Sequence, residues 1–516
     1  MKKKKKSKKP KTSLIDRFLN VVERVGNALP HPASLFGIFA LMALAASTVG
    51  HWLDWQATHP ATGEVIKTVN LLSKSGLERI IDDMVYNYTS FAPLGIVLVA
   101  MLGIGIAEGS GLIGALIRKL VLSSPRKLLT FVIVLAGILS NVASDIGYVL
   151  LIPLAGVVFI AVGRHPIVGM AAAFAGVSGG FSANLILGTI DPLVAGLSQE
   201  AARILDPDYL VNPTANYFFM VVSTFIIAVA GTLVTEKIVA PRFGTYEGEE
   251  TGDKLDSLSD QEKKGLRWSG FALFIWIVII LIGIIPENGY LRGADGSILA
   301  SPLIKGVIAI LFLVAGTLGV VYGAVTGVYK NDSDVVKGMT ASMKSLANYM
   351  VLVFFAAQFV AYFKWSNLGV IFAISGAEVL IKADLGVIPL MLLFIILAGT
   401  INMFLGSASA KWALMAPIFV PMFMLLGYSP ELSQAVYRIG DSVTNIISPM
   451  MSFFALVIAF FQKYDENAGI GTVISTMIAY SIVFFICWAL LLIVWILLGL
   501  PLGPGAGLYY EQLQNM

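Results

Sequence analysis

The sequence predicts an all-α polytopic membrane protein, with about nine transmembrane helices, two re-entrant hairpins of opposite orientation, and broken helices in an inverted repeat. Three observations carry that prediction. The 516-residue chain is 57% apolar and only 13% charged, too apolar for a soluble globule. Its apolar runs repeatedly reach the roughly 20 residues needed to cross hydrocarbon. Two of the longest apolar stretches are also interrupted by small polar residues, in a pattern that occurs twice.

In chain order, "MKKKKKSKKPK" opens a basic arm over 1–30, read as a solvated cytoplasmic tail able to touch anionic lipid headgroups. The first apolar run begins too far in for a cleavable signal peptide. Spans are expected near 33–53, 92–112, 167–190, 216–239, 269–286, 303–327, 345–363, 433–461 and 472–500. With the N-terminus inside, Arg118, Lys119, Arg126, Lys127, Arg164, Arg242, Lys254, Lys263, Lys264, Arg267, Lys330, Lys337 and Lys344 all fall on the cytoplasmic side. Fewer cations fall outside, which satisfies the positive-inside rule. The acidic stretch 245–264, "TYEGEETGDKLDSLSDQEKK", reads as a solvated connector within 241–268, between halves at 31–240 and 269–500. A tail over 501–516 then ends outside. The single cysteine, Cys487, excludes an intrachain disulfide and a cysteine metal cluster.

That charge balance requires the stretches 128–163 and 386–427 to return to the side they started from. "FVIVLAGILSNVASDIGYVLLIPLAG" (131–156) and "FIILAGTINMFLGSASAKWALMAPIFVP" (394–421) each have an apolar arm containing "LAG", a small polar centre and an apolar return reaching a proline. Such centres are turn material, tolerated at membrane depth only where protein or a wet cavity covers their backbone. Hence two hairpins, the first opening to the cytoplasm and the second to the outside. A polar, proline-broken helix follows each. "FSANLILGTIDPL" (181–193) parallels "RIGDSVTNIISPM" (438–450), setting Asn184 opposite Asp441 and Pro192 opposite Pro449. A hairpin and broken helix occurring twice with opposite orientation is the inverted repeat of secondary transporters. Serine and glycine alone also serve helix packing in membranes. Charges near mid-span cost about 2.5–3.5 kcal/mol each and mark a site.

"AFAGVSGGFSANLILGTIDPL", "GSASAKWALMAPIFVPMFMLLGY", "YRIGDSVTNIISPM" and the closing "GLPLGPG" resemble the p-aminobenzoyl-glutamate transporter (AbgT) family. "NALPHPASLF" and "FAPLGIVLVAMLGIGIAEGSGL" agree near the N-terminus, so the resemblance spans essentially the whole chain after the basic arm. It implies nine transmembrane helices plus two hairpins, a bowl-shaped homodimer in the bacterial inner membrane, and no enzymatic activity. It implies transport of aminobenzoyl-glutamate-like folate catabolites or export of sulfonamide antimetabolites, with no cofactor beyond Na⁺ and no nucleic-acid partner. The family's functional positions fall here on Asp191, Ser409, Trp412, Pro430, Arg438, Asp441 and Pro449. Asn402 beside Asp441 is a candidate Na⁺ ligand, with Asn141 and Asn184 as first-half counterparts. Lys411 is read as a snorkelling or pairing group, not a site residue.

The residue types fit such substrates. Arg438 offers a planar fork for a carboxylate or sulfonyl group, unless it forms a permanent pair with Asp441 one turn along. Asp441 can accept a proton or help hold Na⁺ with Asn402 and hairpin carbonyls. Trp412 can stack on an aminobenzoyl ring or simply pack. Asp191 before Pro192 can couple to an ion or cap a half-helix. Asp145 with Asn141 can form a matching ion site at the first hairpin tip. His31, His51, His59 and His165 lie near span ends or in loops, so carboxylates carry any proton path. The chain has no phosphate-cradling G-x-x-x-x-G-K-[ST] motif. An intramembrane aspartyl protease would need two facing aspartates sharing a proton. A passive channel would need a continuous wet path instead of two broken-helix sites. Secondary transport driven by H⁺, Na⁺ or both is the function these residues suit best, and the resemblance of "GTIDPL" and "GDSVTNIISPM" to exporting members of the family implies export over import.

Overall fold

A computed structural model describes residues 30–58, 63–142, 146–244, 246, 257–294, 296–298 and 301–510. The basic arm, most of the acidic connector and Asp145 lie outside the described residues. The architecture is helical apart from a small hairpin pairing Gln56–Thr58 with Val65–Lys67. Eight helices among the described residues are long and apolar enough to cross a membrane, or nine if one sharply bent pair counts as a single span. The bent pair is Leu112–Leu122 followed by Arg126–Ser140, which turn by 112° into the first hairpin.

That hairpin runs down Leu129–Ser140 and returns through a π-helical stretch, Gly147–Leu151, into Ile152–Ala161. Its mouth is closed by Arg164, whose Nη1 donates to Thr130 Oγ1 at 2.9 Å, and by Glu236, which lies 2.8 Å from Arg164 Nη2. The second hairpin runs down Val387–Asn402 and back along Ala408–Leu425. Phe394 on the first arm packs against Phe419 and Phe423 on the second, with both centroid distances 4.9 Å.

The hairpins open at opposite ends of the molecule. Helices Tyr217–Val234 and Ile470–Leu497 run antiparallel, with Phe219 against Trp495, Ser223 bonded to Trp488, and Thr235 bonded to Tyr480. Glu236, at the mouth of the first hairpin, follows the end of Tyr217–Val234. The mouth of the second lies at the other end. There Tyr510 N–H donates to Gly427 O at 2.9 Å and Phe218 N–H to Leu502 O at 2.9 Å.

The broken helices differ in position from the sequence reading. The first is helical over Pro166–Phe174, continues as a π-helical turn over Ala175–Gly179, breaks, and resumes at Ile190–Ala202. The expected span 167–190 therefore takes in only its first arm and the break. The second comprises Pro430–Asn445, a break, and Phe454–Gln462. Pro449 lies in that break, whereas Pro192 sits in the first turn of a helix. Asn184 lies in the first break, but Asp441 lies within a helix. The two segments are thus equivalent by hairpin and break, not in the register that sets Asn184 opposite Asp441. Outer helices such as Asp260–Ile284 expose most of their apolar surface. Helices Lys74–Thr89 and Leu368–Lys382 lie outside every expected span. The first is amphipathic and too polar to read as a span.

Candidate functional site

The second broken helix starts where its sequence says it should. Ser429 Oγ accepts the N–H of Leu432 at 3.1 Å and Pro430 occupies the first turn, where a missing N–H costs nothing. Every residue from Pro430 to Asn445 except Thr444 is buried. A helix this polar, enclosed all round, needs partners for its polar groups. It has them in two ion pairs, supplied by different elements.

Arg438 Nη1 lies 2.7 Å from Asp191 Oδ1. Asp191 occupies the first turn of Ile190–Ala202, where the positive end of the helix favours a carboxylate, and its Oδ2 accepts the N–H of Gly188 at 2.6 Å. Arg438 Nε is buried without a hydrogen-bond partner among the described residues. Asp441 pairs instead with Lys411. The alternative of a permanent Arg438–Asp441 pair does not hold: each residue takes its partner from another element, so both charges are compensated separately.

For Lys411 the pairing reading holds and the snorkelling reading does not. Its side chain is 0% exposed, so it does not snorkel to any headgroup layer. It sits just past the second hairpin tip, and its Nζ contacts both Asp441 Oδ1 and Asn402 Oδ1. The Asn402 amide nitrogen lies 2.9 Å from Asp441 O, 2.8 Å from Thr444 Oγ1 and 2.8 Å from Asn445 Oδ1. Asn445 Nδ2 in turn donates to Asp441 Oδ2 at 3.2 Å.

Trp412 is fully buried, stacked on Tyr437 with centroids 4.5 Å apart. Its Nε1 donates to Ser198 Oγ at 2.9 Å, and Ser198 donates to Gln434 Oε1 at 2.7 Å. Of the two readings of Trp412 the structure shows the packed one: a protein ring lies on its face, and Trp412 welds the hairpin to both broken helices.

A cavity of about 290 Å³ opens between the hairpin tips, lined among others by Tyr148, Ile190, Ser409, Asn445 and Phe453. It adjoins both ion pairs: Ile190 precedes Asp191, and Asn445 bonds Asp441. Tyr148 and Phe453 stack nearly parallel, 4.5 Å apart at 11°, joining the first hairpin to the break of the second broken helix. At the other tip, a Cβ on Gly406 would come within 2.1 Å of Met450 O. Gly406→Ala is expected to destabilise the protein by about 1–3 kcal/mol through this overpacking, seen as a lower melting temperature. An unchanged melting curve would contradict the close tip-to-break contact.

Of the residues expected from the sequence, Ser409 lines this cavity, while Asp191 and Asp441, with their partners Arg438 and Lys411, lie behind its wall next to Ile190 and Asn445, and Asn402 is bonded to Asn445. Pro430 stands at the far end of its helix from Asp441, outside the cavity lining, and Pro449 lies in the break. Asn141 Nδ2 donates to Val177 O at 3.0 Å and Ile138 O at 3.1 Å, while Asn184 Oδ1 accepts the N–H of Leu185. Asn141 thus ties the first hairpin to the first broken helix, Asn184 satisfies its own turn, and among the described residues neither is bonded to a carboxylate. Tyr148, Phe453, Gln434 and Ser198 were missed in the sequence. Only Lys411 carried a signal, being a charge beside a hairpin tip.

The model of the AbgT putative transporter family matches residues 17–510. The chain is 36% identical over 497 residues to the p-aminobenzoyl-glutamate transport protein of Escherichia coli K12, covering 96% of this chain and 98% of that one. The Neisseria gonorrhoeae MtrF structure, described as illuminating a class of antimetabolite efflux pumps, superposes with a TM-score of 0.90 at 50% identity, covering 95% of this chain and 100% of that one. The Alcanivorax borkumensis YdaH transporter, described as having an unusual topology, gives 0.88 at 46% identity, with 92% and 100% covered.

Proposed function

Because this chain belongs to the AbgT family of transporters, we propose that it exports p-aminobenzoate-like and sulfonamide antimetabolites across the bacterial inner membrane, driven by an ion gradient. The observation that carries this reading is the cavity between the hairpin tips, bordered by an aromatic pair and two buried ion pairs. A substrate with an aryl ring and an anionic end suits it. The ring would pack on Tyr148 and Phe453, and the anionic end would take the Arg438 donors that Asp191 leaves over. The carboxylates of Asp191 and Asp441 are the groups through which the gradient would act. Export is favoured by the likeness to the MtrF efflux pump, at higher identity than to the E. coli aminobenzoyl-glutamate protein. Import of aminobenzoyl-glutamate is the second reading, and that E. coli relative favours it. In this proposal the protein works as a homodimer. Its N-terminus and the first hairpin mouth, rich in Arg126, Lys127 and Arg164, face the cytoplasm. Its C-terminus and the second mouth face outward.

Sealed vesicles of known orientation, with H⁺ and Na⁺ gradients imposed separately, test it. Inside-out vesicles should accumulate a labelled sulfonamide or p-aminobenzoate, and Tyr148→Ala should raise KM roughly fivefold while Tyr148→Phe stays near wild type. Accumulation only in right-side-out vesicles would establish import instead. Gradient-independent equilibration would replace the carrier reading with a channel.

A further inference from the structure

The oxygens that the sequence offers as a Na⁺ site are already in use. Lys411 Nζ bridges Asp441 Oδ1 and Asn402 Oδ1, the two side-chain oxygens expected to hold the ion. Asp441 Oδ2 accepts Asn445 Nδ2 at 3.2 Å, and the Asn402 carbonyl accepts Ser448 Oγ at 3.0 Å. Lys411 and Asp441 are both buried, at 0% and 1% exposure, so the pair is neutral and shielded from water. A Na⁺ ion entering here would place a second positive charge against one carboxylate, in surroundings that screen poorly. The donor set therefore does not fit Na⁺ while the lysine is in place. Hard carboxylate and carbonyl oxygens would suit the ion once the ammonium is gone.

We propose that Lys411 is a tethered cation occupying the cation site formed by Asn402 and Asp441, so that the native protein binds no Na⁺ there and shortening the lysine opens a Na⁺ site. The lysine stem reaches this position from the return arm of the second hairpin, with its nitrogen where a free ion would sit. The ammonium cannot leave the protein, so it ties the hairpin to the second broken helix whatever the Na⁺ concentration. The inference rests on this cluster alone and is independent of the compound carried and the direction of transport.

The test is thermal melting and ²²Na⁺ binding on the purified full chain, comparing NaCl with KCl at equal ionic strength. Wild-type protein should melt at the same temperature in both salts and retain no ²²Na⁺. Lys411→Ala should melt lower in KCl and gain roughly 5 °C between about 1 and 300 mM NaCl, as a ligand of the folded state does. Adding Asp441→Asn to Lys411→Ala should abolish that gain. If Lys411→Ala cannot be purified in KCl, Lys411→Gln supplies the same comparison with a gentler change. Saturable Na⁺ binding by the wild type that disappears in Asp441→Asn overturns the proposal. So does a Lys411→Ala or Lys411→Gln protein that folds yet shows no difference between the salts. If neither variant folds in either salt, the wild-type measurement decides the matter by itself.

Discussion

Asp441→Ala is expected to lose gradient-driven transport and, at the same time, a large share of its stability. An acid that faced only water or substrate could be removed without loss of fold. The ion pair changes that expectation, because removing Asp441 leaves the ammonium of Lys411 buried and without its carboxylate. Breaking a buried pair from one side costs about 3–5 kcal/mol. Part of the Lys411 contact with Asn402 survives, so Asp441→Asn, which keeps the shape and one carbonyl oxygen, should fall between wild type and Asp441→Ala. Replacing both partners in a Lys411→Met, Asp441→Leu protein should recover most of the melting temperature, since no uncompensated charge remains. Transport should not return with it. Melting curves and vesicle transport on these proteins separate the two roles, and transport by the charge-free double variant would remove the pair from the mechanism.

Arg438→Lys is expected to keep the fold and lose about tenfold in substrate affinity, corresponding to about 1.4 kcal/mol. An ammonium can still face Asp191, but it cannot also present the remaining side of a planar fork to an anion. Arg438→Ala should abolish binding, yet cost less stability than Asp441→Ala. Asp191 would retain the Gly188 N–H at 2.6 Å and its place in the first turn of a helix, both of which stabilise a carboxylate. Lys411 has no helix terminus to fall back on. Fluorescence or calorimetric titration beside thermal melting reads both quantities. Normal affinity in Arg438→Lys would assign Arg438 to scaffolding alone.

The fold was legible in the sequence wherever hydrophobicity and local turn chemistry decide the structure. Both hairpins, their small polar tips and their opposite orientations follow from the apolar arms and charge balance. So does the existence of two broken helices. Their register did not follow. Asp-Pro and Ser-Pro look alike in a string of letters, but Pro192 sits in the first turn of a helix and Pro449 in a gap. The same limit applies to the site. Arg438 and Asp441, one turn apart on one helix, invite pairing. Which partner each takes depends on where Asp191 and Lys411 arrive from elements far away in the chain. Trp412 has the right chemistry for an aryl ligand, but its ring is covered by Tyr437, a contact between a hairpin and a broken helix that no spacing rule encodes. Tyr148 and Phe453 were invisible for the same reason, because they meet only after the two halves interlock.

The enclosed polar half-helix Pro430–Asn445 also constrains how the protein is made. With Arg438 and Asp441 less than one turn apart and both buried, this segment is a poor candidate for partitioning into lipid by itself, since each such charge opposes insertion by about 2.5–3.5 kcal/mol at mid-membrane. Its counter-charges sit on earlier segments: Asp191 on the first broken helix and Lys411 on the second hairpin. Both have left the ribosome by the time Pro430 emerges. Biogenesis therefore has a built-in order, in which the first half and the second hairpin must already be held near the insertion machinery to receive the segment. A defect in either would show first as a chain stalled or degraded during synthesis, before any loss of transport could be measured.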